Sequence, residues 1–529
     1  MSTMAINEVR PGFYLDSVAL MQLSAELAAL PGVEDAVAMI GTPSNLEIMR
    51  EAGLLVARGE AAGSNDLVVA VRATDAAAAE NALSHARGAL ERDIAPVEDG
   101  DRRPRTLDGA LDAMADANLV LVSTPGTHAA REARRALDRG LNVMLFSDNV
   151  SLESERALKE RAHALGLLVM GPDCGTAYIA GTPLAFANVV PRGRVGVIAA
   201  SGTGLQEVAV LLARTGAGIS HGIGVGGRDL SDAVGGLSTL DAIDLLASDD
   251  GTDHLILVSK PPGPRTTRAV FERLAAAGKP CTAVVFGADG AEMPRGGPLL
   301  APTLKDAVEH ATGCPIAPEY DAGTVARCAR ARLSTGRRAL RGLFCGGTLA
   351  TEARAVLAAA GLDVASNTAP AETRRSPAAP GAIRAGHDIT SSVAPAAVFG
   401  SNARHAILDL GADEYTAGRP HPMIDPVIRT ARLREALAEP GVAVVLLDVV
   451  LGFGAHPDPA RPICDAIRDA NGDVPVVVAS VCGTRDDPQD RGRQATMLGA
   501  AGVVVAPSNA DAATVAAEIV NHVDHRHGC

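Results

Sequence analysis

Lys260 closes the apolar run LILVS and is followed by Pro261 and Pro262, and Arg228 follows consecutive glycines in GIGVGGRDLSD, Gly222 to Asp232. Cations at strand ends suit a small anion, the lysine as a point charge and the guanidinium as a fork. Two glycine-rich turns supply the other half of such a site. Ser201, Gly202, Thr203 and Gly204 sit in VGVIAASGTGLQEVAVLLA, while Gly452, Gly454 and Ala455 follow the apolar run Val442 to Val450. Amides at a helix start have no intrahelical acceptor and attract anions, and glycine lets a ligand approach the backbone. Each start contributes roughly 0.3 to 2 kcal/mol towards an anion, so two converging starts can hold a phosphate without a basic cluster. The expectation is that these two turns clamp one phosphate from both sides.

Each motif also has a plainer reading. Glycines in a strand-to-helix loop satisfy ordinary turn geometry, and Arg228 can simply be solvated. His456, beside the second turn, can donate to a phosphate or carry a proton, although a loop histidine often does neither. In GRPHPMIDP, Gly418 to Pro426, three prolines stiffen a loop that carries Arg419, His421 and Asp425. Stiff backbone lowers the entropic cost of binding, which makes these three candidate substrate contacts. The alternative is that Asp425 caps the helix at Ile428. Cys174, in GPDCGT, reads as a small turn residue, because no base or cation adjoins it.

The elements that must carry these residues follow from the hydrophobic pattern. A chain of 529 residues exceeds one core. Residues 1–97 read as a small α+β sandwich, and the charged connector from Glu98 to Arg105 reads as a boundary. Residues 116–172 alternate strand and helix as a Rossmann-like parallel sheet does. Residues 190–315 and 338–523 repeat that alternation as two flavodoxin-like halves, the second interrupted by an Ala-, Pro- and Gly-rich stretch from Ala369 to Pro395. Ligands of such sheets sit at the carboxyl ends of the strands, where the glycine turns fall. The fold class is therefore α/β and multidomain.

Composition narrows the partners. There is no tryptophan, aromatics make up 2 %, and the formal charge is -14, so neither base stacking nor a basic face is on offer to nucleic acid. Eight cysteines without a CxxC pair read as reduced thiols rather than a metal site, and no apolar stretch reaches the length of a membrane span. A cytoplasmic protein with a small anionic substrate and no metal is expected.

The segments FSDNVSLE, LLVMGPDCGTAYIAGTPLAFANVVP, VGVIAASGTGLQE, GGRDLS, SKPP, GRPHPMIDP and LLLDVV with its GFGA turn resemble, as a set, the succinyl-CoA synthetase (acyl-CoA synthetase) superfamily, and more closely its FdrA-type branch. The resemblance implies a CoA-binding-type Rossmann domain and two succinyl-CoA-synthetase-type domains, α-like and β-C-terminal-like. It also implies that the helices after Ser201–Thr203 and Gly452–Ala455 match the pair that cradles a phosphohistidine. This chain departs from that scheme. GADGAEMPRGGPLLAPT, where the histidine loop would fall, has no histidine, Lys260 stands where an acidic residue holds that histidine, and no ATP-grasp half is present. STPGTH replaces the first glycine turn of the CoA domain, leaving CoA as a candidate cofactor only. FdrA-type proteins are linked to carbamoyl transfer between carbamoyl phosphate and oxamate in allantoin catabolism. The resemblance therefore implies a transferase subunit with Lys260, Arg228 and His456 as catalytic residues, working in an oligomer with partner subunits. An acyl-CoA ligase and a phosphate-binding scaffold are the rival readings.

Overall fold

The structure is a computed structural model that describes residues 4–13, 15–93, 104, 106–287, 293–316, 322–334, 336–368, 404–416 and 420–524. Of the connector from Glu98 to Arg105 only Pro104 falls among them, and both Arg419 and the stretch from Ala369 to Pro395 lie outside. The described residues form two compact units, one within Met1–Ala117 and Gly411–Val427, the other comprising the remainder.

In the first unit an antiparallel sheet places Leu67–Ala73 between Met4–Arg10 and Val33–Ile40. Alternation along the central strand explains the layering, because successive side chains face opposite sides. Val69 and Val71 pack with Leu20, Leu23 and Leu27 of helix Ser17–Ala28 and with Leu83 and Leu90 of helix Ala76–Asp93. Val68 and Ala70 pack on the other side with Met49 and Leu54. The buried Asn7 amide fixes that second layer, donating to the Leu54 carbonyl at 2.7 Å and accepting from the Val56 amide at 2.7 Å.

The second unit holds three sheets. Leu119–Val122, Asn142–Leu145 and Val169–Met170 run parallel, linked by helices Gly126–Asp138 and Leu152–Leu165. A seven-stranded sheet has the order Leu299–Leu300, Cys281–Val285, His254–Ser259, Arg192–Ala199, Ile219–Gly224, Thr176–Ile179, Thr182–Ala185. Its first five strands are parallel and the last two antiparallel. A six-stranded parallel sheet has the order Val364–Ser366, His405–Asp409, Ala339–Phe344, Val442–Val450, Val476–Cys482, Val504–Ala506.

Both larger sheets reverse direction at one place. In the first, the chain steps from Arg192–Ala199 to Ile219–Gly224 and then returns to His254–Ser259 on the other side. In the second, it leaves Ala339–Phe344 for Val364–Ser366 and His405–Asp409, then crosses to Val442–Val450. At a reversal the flanking connections diverge to opposite faces and leave a crevice at the carboxyl ends. Helices Gly202–Thr215 and Gly347–Ala359 start at those two crevices.

A buried network holds the segment that carries Arg228. The Lys159 ammonium bonds Glu155 at 2.9 Å, Asp229 at 2.8 Å and the Val225 carbonyl at 3.0 Å. Asp229 in turn accepts from the Ser238 and Thr239 amides and from the Thr239 hydroxyl, which ties the loop to the start of helix Leu237–Ser248. No helix among the described residues is long and apolar enough to cross a membrane.

Candidate oxyanion site between two helix starts

Ser201 caps helix Gly202–Thr215, its hydroxyl accepting from the Gly204 amide at 3.2 Å and its carbonyl accepting from Leu205. The amides of Gly202 and Thr203 remain as unspent donors of the first turn. The second helix start is built differently. Asp448, fully buried at the end of its strand, accepts from the Cys345 and Gly346 amides, both at 2.8 Å. Arg429 steadies it from beneath, donating to the Asp448 carbonyl at 2.9 Å and to Cys345 Sγ at 3.1 Å. Burial raises the Asp448 carboxyl above its usual range, with Arg429 and the two amides opposing that shift. The same burial pushes the Cys345 thiol well up and keeps it un-ionised. Helix Gly347–Ala359 has no side-chain cap, so among the described residues the amides of Gly347, Thr348 and Leu349 stay unspent.

The two starts meet. A Cβ at Gly346 would stand 2.8 Å from Thr203 Oγ1, and a Cβ at Gly204 would stand 3.0 Å from Thr348 Cγ2. Glycine is required at both positions because the opposite threonine occupies the space that a side chain would need. Thr348 is fully buried at this junction and its hydroxyl has no hydrogen-bond partner among the described residues. Such a group costs about 1–3 kcal/mol in a closed core, which a ligand accepting its proton would recover. Lys260 leaves the neighbouring strand end, and its ammonium lies 2.9 Å from where a Gly347 Cβ would be, with the Asp409 carboxylate against the same glycine. The assembly offers unspent amides from two helices, one buried hydroxyl and an exposed ammonium, and it can hold a small oxyanion without covalent attachment.

The partner of the Ser201 turn is therefore the Gly346–Thr348 turn, which corrects the expectation that placed Gly452, Gly454 and Ala455 there. The Gly452 amide donates to Gln489 Oε1 at 3.0 Å, the Phe453 amide to the Ala187 carbonyl at 2.9 Å, and the Ala455 amide to the Gly452 carbonyl. The helix beyond begins only at Ala460, whose amide is taken by Gln494 Oε1. This turn touches helix Gly202–Thr215 on its flank, through Gln206 Nε2 to the Leu451 carbonyl at 3.2 Å. The amides of Gly452, Phe453 and Ala455 are committed to packing.

The other candidates are placed as follows. Arg228 pairs with Glu155 at 2.8 Å and donates to the Val150 carbonyl at 2.7 Å, an anchoring role in the buried network described above. His456 Nδ1 accepts from the Asp458 amide at 3.0 Å. His421 Nδ1 accepts from Met423, and Asp425 accepts from the Val427 amide at 3.0 Å as a cap of helix Val427–Ala438; both residues belong to the first unit. Cys174 is buried with its thiol raised to about 12, which agrees with a turn residue. Gly347, Thr348, Asp409 and Asp448 were missed as ligand contacts or supports. One signal in the sequence would have found the first two: GTGLQE from Gly202 and GTLATE from Gly347 carry glycine, threonine and glutamate at the same offsets.

Two doubly wound sheets, one mixed and one parallel, with facing helix starts at their reversal points, define a multidomain α/β protein. Residues 343–519 match the family described as CoA-ligase, and residues 1–104 match the one described as AllF, heavy metal-associated domain. The chain belongs to the family of the Escherichia coli protein YahF, with which it is 39% identical over 526 residues, 97% of this chain and 98% of that one. It is 28% identical over 179 residues to the alpha subunit of an ADP-forming succinate–CoA ligase of Methanothermobacter thermautotrophicus, and spans 58% of that relative. A dinucleotide-forming acetyl-coenzyme A synthetase 1 of Ca. Korarchaeum cryptofilum, in complex with phosphate and ADP, aligns over 78% of this chain and 85% of its own at 17% identity and a TM-score of 0.30.

The first domain carries no cysteine for a heavy-metal ion. All eight cysteines lie at position 174 or later, and His85, the one histidine before residue 105, faces Glu26 at 3.4 Å. No cluster of three metal-binding side chains occurs among the described residues. A thiophilic ion finds no thiolate in this domain, so the residues do not fit the group.

Proposed function

We propose that this chain is a subunit of a carbamoyl- or acyl-phosphate transferase of the oxamate carbamoyltransferase type, acting in allantoin catabolism within an oligomer of partner subunits. The observation that carries the reading is the pair of helix starts joined through Gly204–Thr348 and Gly346–Thr203, with Lys260 beside them. A phosphate oxygen attacks the carbamoyl carbon of oxalurate, the C–N bond breaks, and the departing oxamate nitrogen takes a proton, giving carbamoyl phosphate. The chain's own part is electrostatic. The unspent amides of Gly202, Thr203, Gly347 and Thr348 hold the phosphoryl oxygens, the Thr348 hydroxyl donates to one of them, and Lys260 offsets the charge that develops as phosphate enters or leaves. No histidine occurs between His254 and His310, which supports a free rather than a tethered phosphoryl group.

The similarity to CoA-ligases favours a second reading, an acyl-CoA ligase subunit that takes CoA on the sheet of Leu119–Met170. Phosphorus NMR of the purified complex with oxalurate and phosphate separates the two. Carbamoyl phosphate forming without CoA, and lost in Lys260→Ala, supports the transferase. Absence of carbamoyl phosphate together with CoA-dependent thioester formation supports the ligase.

A further inference from the structure

Beneath the two helix starts lies a buried polar bridge that the site chemistry does not use. Glu207 and Glu352 occupy the same offset in their helices, and both are almost wholly buried. One residue joins them. The Asn509 amide donates to Glu207 Oε1 at 3.1 Å, and Asn509 Nδ2 donates to Glu352 Oε2 at 2.7 Å and to the Leu349 carbonyl at 2.9 Å. Glu352 Oε1 also accepts from the Leu304 amide at 2.7 Å. Leu349 belongs to the first turn that offers unspent amides, so the bridge grips that turn directly.

We propose that Glu207, Asn509 and Glu352 are positioning residues for the oxyanion site: their bridge fixes the separation of the two helix starts, and hence the affinity, without touching the ligand. The inference rests on the oxyanion reading of the preceding subsection. Two helix starts carry like partial charges and repel when no anion lies between them, so the spacing must be imposed from elsewhere, and this bridge spans both helices. The charges around it are unbalanced. Glu352 faces Glu207 from helix Gly202–Thr215 and Asp306 from helix Leu304–Thr312, where Lys305 is already paired with Asp511 at 2.9 Å. Glu207 faces the Cys482 thiol, with Arg214 and Arg491 as more distant cations. Among the described residues neither carboxyl hydrogen-bonds or ion-pairs with a cation. Burial therefore raises both, Glu352 to about 8 against the opposing pull of the Asn509 and Leu304 donors, and keeps Glu352 protonated at neutral pH. Loss of that proton sets two buried carboxylates against each other across the bridge.

The test is sulfate affinity of the full chain from pH 6 to 9, read by calorimetry, since sulfate does not titrate in that range. Wild-type protein is expected to lose about five- to tenfold in affinity across pH 8, Glu352→Gln to bind with no slope there, and Asn509→Ala to bind about tenfold more weakly at pH 7 with its secondary structure retained. A merely structural role would lower the melting temperature and leave the wild-type slope in place. Should Asn509→Ala fail to fold, the Glu352→Gln profile decides. Sulfate binding in which Glu352→Gln keeps the wild-type slope overturns this inference and leaves the oxyanion site standing. Wild-type protein that takes no sulfate at any pH overturns the oxyanion reading and this inference with it.

Discussion

Thr348 concentrates the argument at the scale of one residue. Its hydroxyl is buried without a partner at the place where two sets of unspent amides meet. Thr348→Val keeps the shape and removes the polar atom, so the empty protein should gain about 1 kcal/mol of stability, measured by urea unfolding, while sulfate affinity falls. A variant that is stabilised yet binds sulfate as before would reduce the hydroxyl to a packing defect. Asp448 is the opposite case, a buried carboxylate whose two oxygens are fully used. Asp448→Ala leaves the Cys345 and Gly346 amides without their acceptor and removes the carboxylate that Arg429 faces at 4.0 Å, and should cost about 3–5 kcal/mol by the same unfolding measurement. Lys260 and the Ser201–Gly204 turn stood out in the chain because strand end, glycine and cation adjoin there. Thr348 and Asp409 were not, because what marks them is an opposite wall contributed by another sheet.

At the scale of elements, helices Gly202–Thr215 and Gly347–Ala359 are related as two copies of one device, the first capped by a serine and the second uncapped, with a strand-end aspartate holding the two amides that precede it. Their shared carboxyl pair gives a pH dependence whose sign can be worked out. Glu352 is raised from 4.5 to about 8 in the folded chain, so the native state holds a proton that the unfolded chain releases. The contribution to stability is complete below pH 4.5 and is lost as pH rises through about 8, at up to about 1.4 kcal/mol per pH unit. Urea midpoints should therefore fall from pH 6 to pH 8.5, and Glu352→Gln should flatten the decline; an equal decline in both proteins would remove Glu352 as its source. The strands and helices themselves were readable, since Val442–Val450 is apolar at every position but one and is buried throughout. The choice between the Gly346 and Gly452 turns was not. Both follow a buried strand and both are glycine-rich, and only the acceptors supplied by Gln489 and Ala187 show that the amides of the second are spent.

For the whole molecule, the first domain has the match of a metal-associated unit without any cysteine. Zinc or copper(I) added to the full chain is expected to leave hydrogen exchange unchanged over residues 4–93. Stoichiometric protection of that domain would show a donor set that the side chains do not suggest. The sequence alone determined the α/β alternation, the aliphatic cores and the presence of an anion-seeking turn at Ser201, because periodicity and turn chemistry are local properties of neighbouring residues. Only the tertiary structure decided which second helix faces that turn, what holds Arg228, and which carboxyls meet at Asn509. Those depend on strand order, and the reversal that brings Gly202 and Gly347 together joins residues far apart along the chain, where no local pattern records the contact.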